Sequence, residues 1–231
     1  MSQNLDEKSA SNRSRSFEKI TYVAVIRLAM ALALLGSVYW QVSDRLIHNV
    51  FRPFEYFTYF TVTSCIATGV ILVVSAVNIL RGQTESKRMS LMRLTMAASM
   101  VVVGVIYNLL LAGSAPDVRD ANYAWPVLPN LIMHNYMPVV VLIEYVFVAT
   151  VVPQKLTRAF WVLVYPLGWL AFTIIRGIST NWWPYPFLDP ANGIPNMLKW
   201  IGIISAFFIV LALSLMPLQR VIAGIWTKKQ S

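Results

Sequence analysis

Charge is scarce in this sequence. Asp, Glu, Lys and Arg together make up 13% of its 231 residues, about half the share found in an ordinary soluble domain. So few charged groups do not cover a water-facing surface, which excludes a soluble globular protein. Cysteine is nearly absent too. Cys65 stands alone, which excludes an internal disulfide framework and any zinc site of paired cysteines. No Walker, Rossmann or HExxH pattern occurs, and no repeat is evident. Connections between the apolar stretches are short, leaving no extramembrane domain to hold an active site. Any chemistry belongs in the apolar part or at its rim, with neither a metal nor an organic cofactor implied.

What is abundant is apolar. Hydrophobic residues make up 57% of the chain and mean hydropathy is +0.60, in blocks of about 20 residues, the length that crosses a bilayer core. Six blocks are predicted, near 20–40, 57–80, 91–111, 130–152, 159–178 and 197–222. The expected fold is all-α, an integral membrane bundle of six transmembrane helices. Residues 20–225 form it, between a polar, disordered tail at 1–19 and a basic tail at 226–231. The first block is no cleaved signal peptide, since its apolar run is too long and no small-x-small site closes it.

Lys and Arg outnumber Asp and Glu by 19 to 10. In a soluble protein that excess would suggest nucleic acid; here it has a better use in orientation. One side carries thirteen of the nineteen, namely Lys8, Arg13, Arg15, Lys19, Arg81, Lys87, Arg88, Arg93, Lys155, Arg158, Arg220, Lys228 and Lys229. The other carries four, Arg45, Arg52, Arg119 and Lys199, while Arg27 and Arg176 fall inside spans. Basic loops stay in the cytoplasm, so both termini are expected there. A bacterial plasma membrane suits the compact six-span form.

Ionisable groups in a bilayer cost roughly 2.5–3.5 kcal/mol each near its centre, so those within spans call for an explanation. Thr61, Asn108, His134 and Arg176 lie on four different spans, all within roughly 3–9 Å of the same outer interface at a rise of about 1.5 Å per residue. Arg27 and Glu144 share the opposite level. Their simplest reading is a structural ion pair between the first and fourth spans. A proton path has less behind it, because no chain of ionisable residues crosses the bilayer.

Each outer-level residue also has a plain structural reading. A Thr in a membrane helix usually bonds its own i−4 carbonyl. His134 can bond at the interface, with Pro138 one turn later freeing a carbonyl for it. Arg176 can snorkel outward or pair with Asp189, and Asn108 can join helices. NWWPYPFLDP reads as an aromatic belt with a rigid turn. Against these stands the combination. A hydroxyl beside an imidazole is the minimum for acyl transfer, and Asn108, Arg176 or Asp189 could support the oxyanion or orient the site. A lipid ester in the outer leaflet has its carbonyl at this level.

The segments YFTYFTVTSC, MHNYMPVVVLIE and WPYPFLDP, in that order, resemble the androgen-inducible membrane protein family. It comprises intramembrane threonine hydrolases of fatty acid esters of hydroxy fatty acids, the androgen-dependent TFPI-regulating protein and bacterial relatives. The resemblance covers all six spans and implies a Thr nucleophile on the second span and a His on the fourth. His134 is the only His in any span. Thr61 fits the nucleophile best, with Thr58 and Thr63 remaining candidates. Thr63 and Ser64 depart from the hydrolases, which carry apolar and acidic residues there, and the bacterial members look closer. The implied activity is intramembrane hydrolysis of a fatty acyl ester that enters from the bilayer, with membrane lipids as partners and neither nucleic acid nor a protein partner indicated. The rival reading is a non-catalytic lipid-binding or transport protein, in which Arg176 and Arg27 matter more than Thr61.

Overall fold

The computed structural model describes residues 2–113, 118–120, 123–148, 152 and 155–228, with side chains over 21–113, 119–120, 123–147, 152, 155–222 and 224–225. The side chains of both terminal tails, at 1–20 and 226–231, lie outside the described residues. Among the described residues there is no strand, and six helices are long and apolar enough to cross a membrane. Their ranges are Thr21–Ile47, Phe60–Leu80, Lys87–Leu111, Val127–Phe147, Leu156–Thr180 and Ile194–Ile222, called spans 1 to 6 below. The chain forms an all-α multi-pass membrane protein.

The ends differ from the hydropathy reading for local reasons. Span 1 continues past Trp40 to Ile47 because the polar residues of its last turns find partners. Gln41 and Arg45 are buried, Gln41 accepting from the Tyr56 hydroxyl over 3.0 Å and Arg45 donating to Asp120 over 3.1 Å. Span 3 begins four residues before Leu91, where the Ser86 side chain accepts from the Met89 N–H over 3.1 Å and caps the helix. Arg93, grouped on sequence with the loop cations, therefore lies inside span 3 and is buried. Span 4 starts at Val127, with Pro129 in its first turn, where a missing N–H costs nothing. Span 5 ends where Asn181 takes up a left-handed conformation, φ 53°, which Asn tolerates better than most residues.

Spans 2 and 3 are the centre of the bundle. About half of each span's most apolar stretch is buried (56% and 50%), against 17% for span 5 and 22% for span 6, whose outer faces are left for lipid. Lipid is as apolar as leucine, so the bundle is held by close packing and interhelical polar contacts rather than by exclusion of water. Small buried residues such as Ala31, Ala76, Ala97 and Ala98 let the central helices approach. Ion pairs close both ends. Arg45 and Arg52 meet Asp120 at one end, called here the Thr61 face. Arg27 and Arg93 meet Glu85 and Glu144 at the other, the Glu85 face.

Candidate functional site at the Thr61 face

Spans 2, 3, 5 and 6 surround a narrow cavity of about 80 Å³. Its walls are apolar, with Phe60, Ile106, Trp169 and Phe208 among them, and Thr61, Tyr107, Tyr185 and Ser205 supply the hydroxyls. Tyr185 reaches it from the connection between spans 5 and 6. Its hydroxyl accepts from the Phe60 N–H over 2.9 Å, and its side chain lines the cavity together with Thr61. Tyr59, the residue before span 2, offers no capping side chain, so Tyr185 does the work of a cap from another part of the chain. Burial raises the Tyr185 hydroxyl above its ordinary pKa and keeps it protonated.

The competing hydroxyls in and just before span 2 are engaged elsewhere. Thr58 donates to the Phe54 carbonyl over 2.6 Å, and its own carbonyl accepts from the Trp169 indole over 2.8 Å. Thr63 donates to the Phe60 carbonyl over 3.1 Å and accepts from the Tyr165 hydroxyl over 3.2 Å. Ser64 bonds the same hydroxyl over 3.1 Å. Of the three threonines, Thr61 is the one that lines the cavity.

His134 sits in a π-helical turn, Ile132–Tyr136, within span 4. Spans 3 and 4 come together where a Cβ on Gly104 would lie 2.9 Å from the Pro138 Cβ and 3.2 Å from the His134 carbonyl oxygen. This approach brings the His134 ring against Tyr107 on span 3, centroids 3.9 Å apart and nearly parallel. The Nδ1 atom lies 2.9 Å from the Asn130 carbonyl, not from one freed by Pro138. A carbonyl only accepts, so Nδ1 carries the hydrogen and Nε2 keeps its lone pair. The Ile132–Tyr136 turn passes within 8 Å of span 2 between Cα atoms. No hydrogen bond joins His134 to Thr61, however, and Tyr107 rather than His134 lines the cavity.

The other sequence candidates divide between two places. Asn108 bridges spans 3 and 4, donating to the Gly104 carbonyl over 2.8 Å and accepting from the Asn135 amide over 3.1 Å. It is exposed and not part of the cavity wall, so it offers Thr61 no oxyanion donor. Arg176 and Asp189 lie across the Asn181–Asp189 connection in a separate, wider vestibule with Glu55, Arg119, Trp182 and Trp183. They form no ion pair with each other. Arg176 stacks over Trp182, 4.7 Å to the ring centroid, and Asp189 accepts from the Ala191 N–H over 2.9 Å.

At the Glu85 face, Arg27 donates through Nε to Glu144 over 2.8 Å and through Nη1 to Ser75 over 2.6 Å. Arg93 donates to Glu144 over 2.7 Å and grips Glu85 with bonds of 2.8 and 3.0 Å. Arg27 Nη1 and Glu85 are 3.7 Å apart. The four side chains thus alternate in sign around a closed, buried ring, two positive and two negative. Sequence reasoning reached Arg27 and Glu144 but missed Glu85 and Arg93. Their signal is faint, an acid and a base eight residues apart at a helix start.

The fold defines a class, the multi-pass helical membrane proteins. No protein-family model matches the chain, and no curated protein or solved structure does so either. The family resemblance rests on the three quoted segments.

Proposed function

We propose that the protein hydrolyses a fatty acyl ester drawn from the bilayer, with Thr61 as nucleophile and His134 as base. The observation that carries this reading is that Thr61 alone among the span 2 threonines lines an apolar cavity. The acyl chain lies against Phe60, Trp169 and Phe208, with its carbonyl beside Thr61. The Thr61 oxygen attacks the carbonyl carbon while His134 Nε2 takes its proton. The imidazolium gives that proton to the departing alkoxide, and a threonyl ester remains. Water then attacks that ester, losing a proton to Nε2, and the acid leaves as Thr61 regains its hydrogen. The Asn130 contact supports this role because it leaves Nε2 free to act as base. The termini face the cytoplasm of a bacterial plasma membrane, supported by twelve Lys and Arg, with the buried Arg93 left out, against four and by the likeness to bacterial members of the family. The ester then meets the site from the outer leaflet.

A second reading, lipid binding without hydrolysis, is favoured by one observation. Thr61 shares its cavity with Tyr185, and His134 is not part of that cavity's wall. Purified protein in detergent separates the two. Hydrolysis of a long-chain ester, and labelling by a fluorophosphonate, are expected in the native protein and lost in both Thr61→Ala and His134→Ala. Turnover that survives either change rules out the assigned pair. No turnover and no labelling, with the lipid still retained, leaves the binding reading.

A further inference from the structure

The second cavity at the Thr61 face holds a cation without a counter-charge. It measures about 960 Å³ and opens at the surface between the end of span 5 and the Asn181–Asp189 connection. Two of its charges are settled: Arg119 donates both guanidinium ends to Glu55, each over 2.9 Å. Arg176 is different. No carboxylate of the described residues lies within ion-pair distance of it, and its Nη1 is buried without a hydrogen-bond partner. Its guanidinium lies over the Trp182 ring, 4.7 Å to the centroid, an arrangement in which the in-plane N–H groups remain to be given to a ligand. Arg176 is half-buried, and a cation partly withdrawn from water is ordinarily paired; this one has no carboxylate partner among the described residues.

The level of the vestibule selects among anions. Phe172, Ile175 and Ile178, on the same helix as Arg176, are exposed large apolar residues and suit lipid tails, so Arg176 sits where a span passes from tails to headgroups. The anion met at that depth is phosphate, and guanidinium binds phosphate through paired N–H bonds. We propose that this vestibule is a phosphate site, with Arg176 as the ligating cation, Trp182 as the platform that fixes its plane, and a phospholipid headgroup as the source of the phosphate. Asp189 lines the same space and tempers affinity by repulsion, which keeps the lipid exchangeable. This inference goes beyond the hydrolase reading and holds whether or not Thr61 is a nucleophile.

Native mass spectrometry on the full-length protein in detergent tests it, with phosphatidylglycerol, the matching diacylglycerol, oleate and inorganic phosphate as probes. Phosphatidylglycerol is expected to bind about tenfold or more tighter than diacylglycerol, and R176Q to remove that preference, as for one lost charge-assisted contact. R176K, which keeps the charge, is expected to retain part of it. D189N is expected to tighten binding, since Asn still accepts from the Ala191 N–H while shedding the charge. It also serves as a variant whose fold is undisturbed. Displacement of the lipid by millimolar inorganic phosphate would assign the site to free phosphate, and preference without displacement to the headgroup. Equal binding of phosphatidylglycerol and diacylglycerol, equal binding of oleate, or an R176Q protein that keeps the preference overturns the proposal.

Discussion

Arg27 Nε donates to Glu144 Oε1 over 2.8 Å across 117 positions of sequence, and neither side chain is more than a few per cent exposed. The pair is half of a ring whose other half is Arg93 with Glu85. Breaking one member of a buried ionic group costs about 3–5 kcal/mol, because the partner stays buried without its counter-charge. Glu144→Gln leaves two guanidinium groups sharing Glu85 alone. A large fall in the thermal midpoint of the purified protein is therefore expected. The double variant Arg27→Gln with Glu144→Gln keeps the doubly bonded Arg93–Glu85 pair, and it is expected to cost less than the sum of the single changes. Additive costs in that cycle would mean that the ring does not act as a unit.

Hydropathy made the bundle legible, since a run of about 20 apolar residues has little choice but to cross or be buried. It made the span ends less so. Ser86 capping span 3 and Arg45 finding Asp120 are decided by single hydrogen bonds that an average over a window does not see. The Arg27–Glu144 pair could be read because two charges stood out against apolar surroundings. Arg93 and Glu85 stood among loop charges, where burial leaves no mark in the sequence. Thr61 could be placed near the membrane boundary, but its neighbour Tyr185 comes from a connection 124 positions away, whose return path is set by packing of Tyr59, Trp182 and Phe187. Likewise, the level of His134 could be counted in residues. Its direction could not, because a π-helical turn rotates the side chains that follow.

Glu55 gives a pH dependence outside the spans. Partial burial would raise its pKa, but hydrogen bonds from Arg119 and Arg52 outweigh that and hold it below the ordinary carboxylate value. A carboxylate with a lowered folded pKa contributes stability above its unfolded pKa, about 4.3 for Glu, and loses it as pH falls through the folded value. Thermal midpoints recorded from pH 7 down to pH 3 should fall more steeply for the native protein than for Glu55→Gln below about pH 4.3. Parallel curves would show that the Glu55 contacts contribute nothing to folding.

Gly177 fixes the wall of the vestibule. A Cβ there would lie 2.6 Å from the Trp183 ring, closer than packed atoms approach. Gly177→Ala must move Trp183, at a cost of about 1–3 kcal/mol for overpacking. Gly168, on the same span, has open space where a Cβ would stand, with nothing within 4 Å. Gly168→Ala is expected to be neutral or slightly stabilising, as a helix interior prefers alanine. Thermal midpoints of the two variants, measured side by side, check the contrast. Equal midpoints would mean that Trp183 does not pack against Gly177.

Tyr185 couples the connection between spans 5 and 6 to the start of span 2. Tyr185→Phe removes the acceptor of the Phe60 N–H, leaving that donor in an apolar wall. An orphaned buried donor costs about 1–3 kcal/mol, and a loss of that size in unfolding free energy is expected. Thr61→Val removes the hydroxyl that faces the same cavity as Tyr185. In a Tyr185→Phe background that substitution is expected to cost less than in the native protein, with a coupling of about 0.5–1.5 kcal/mol, the usual worth of one hydrogen bond. Independent costs would show that the two hydroxyls do not hold one another.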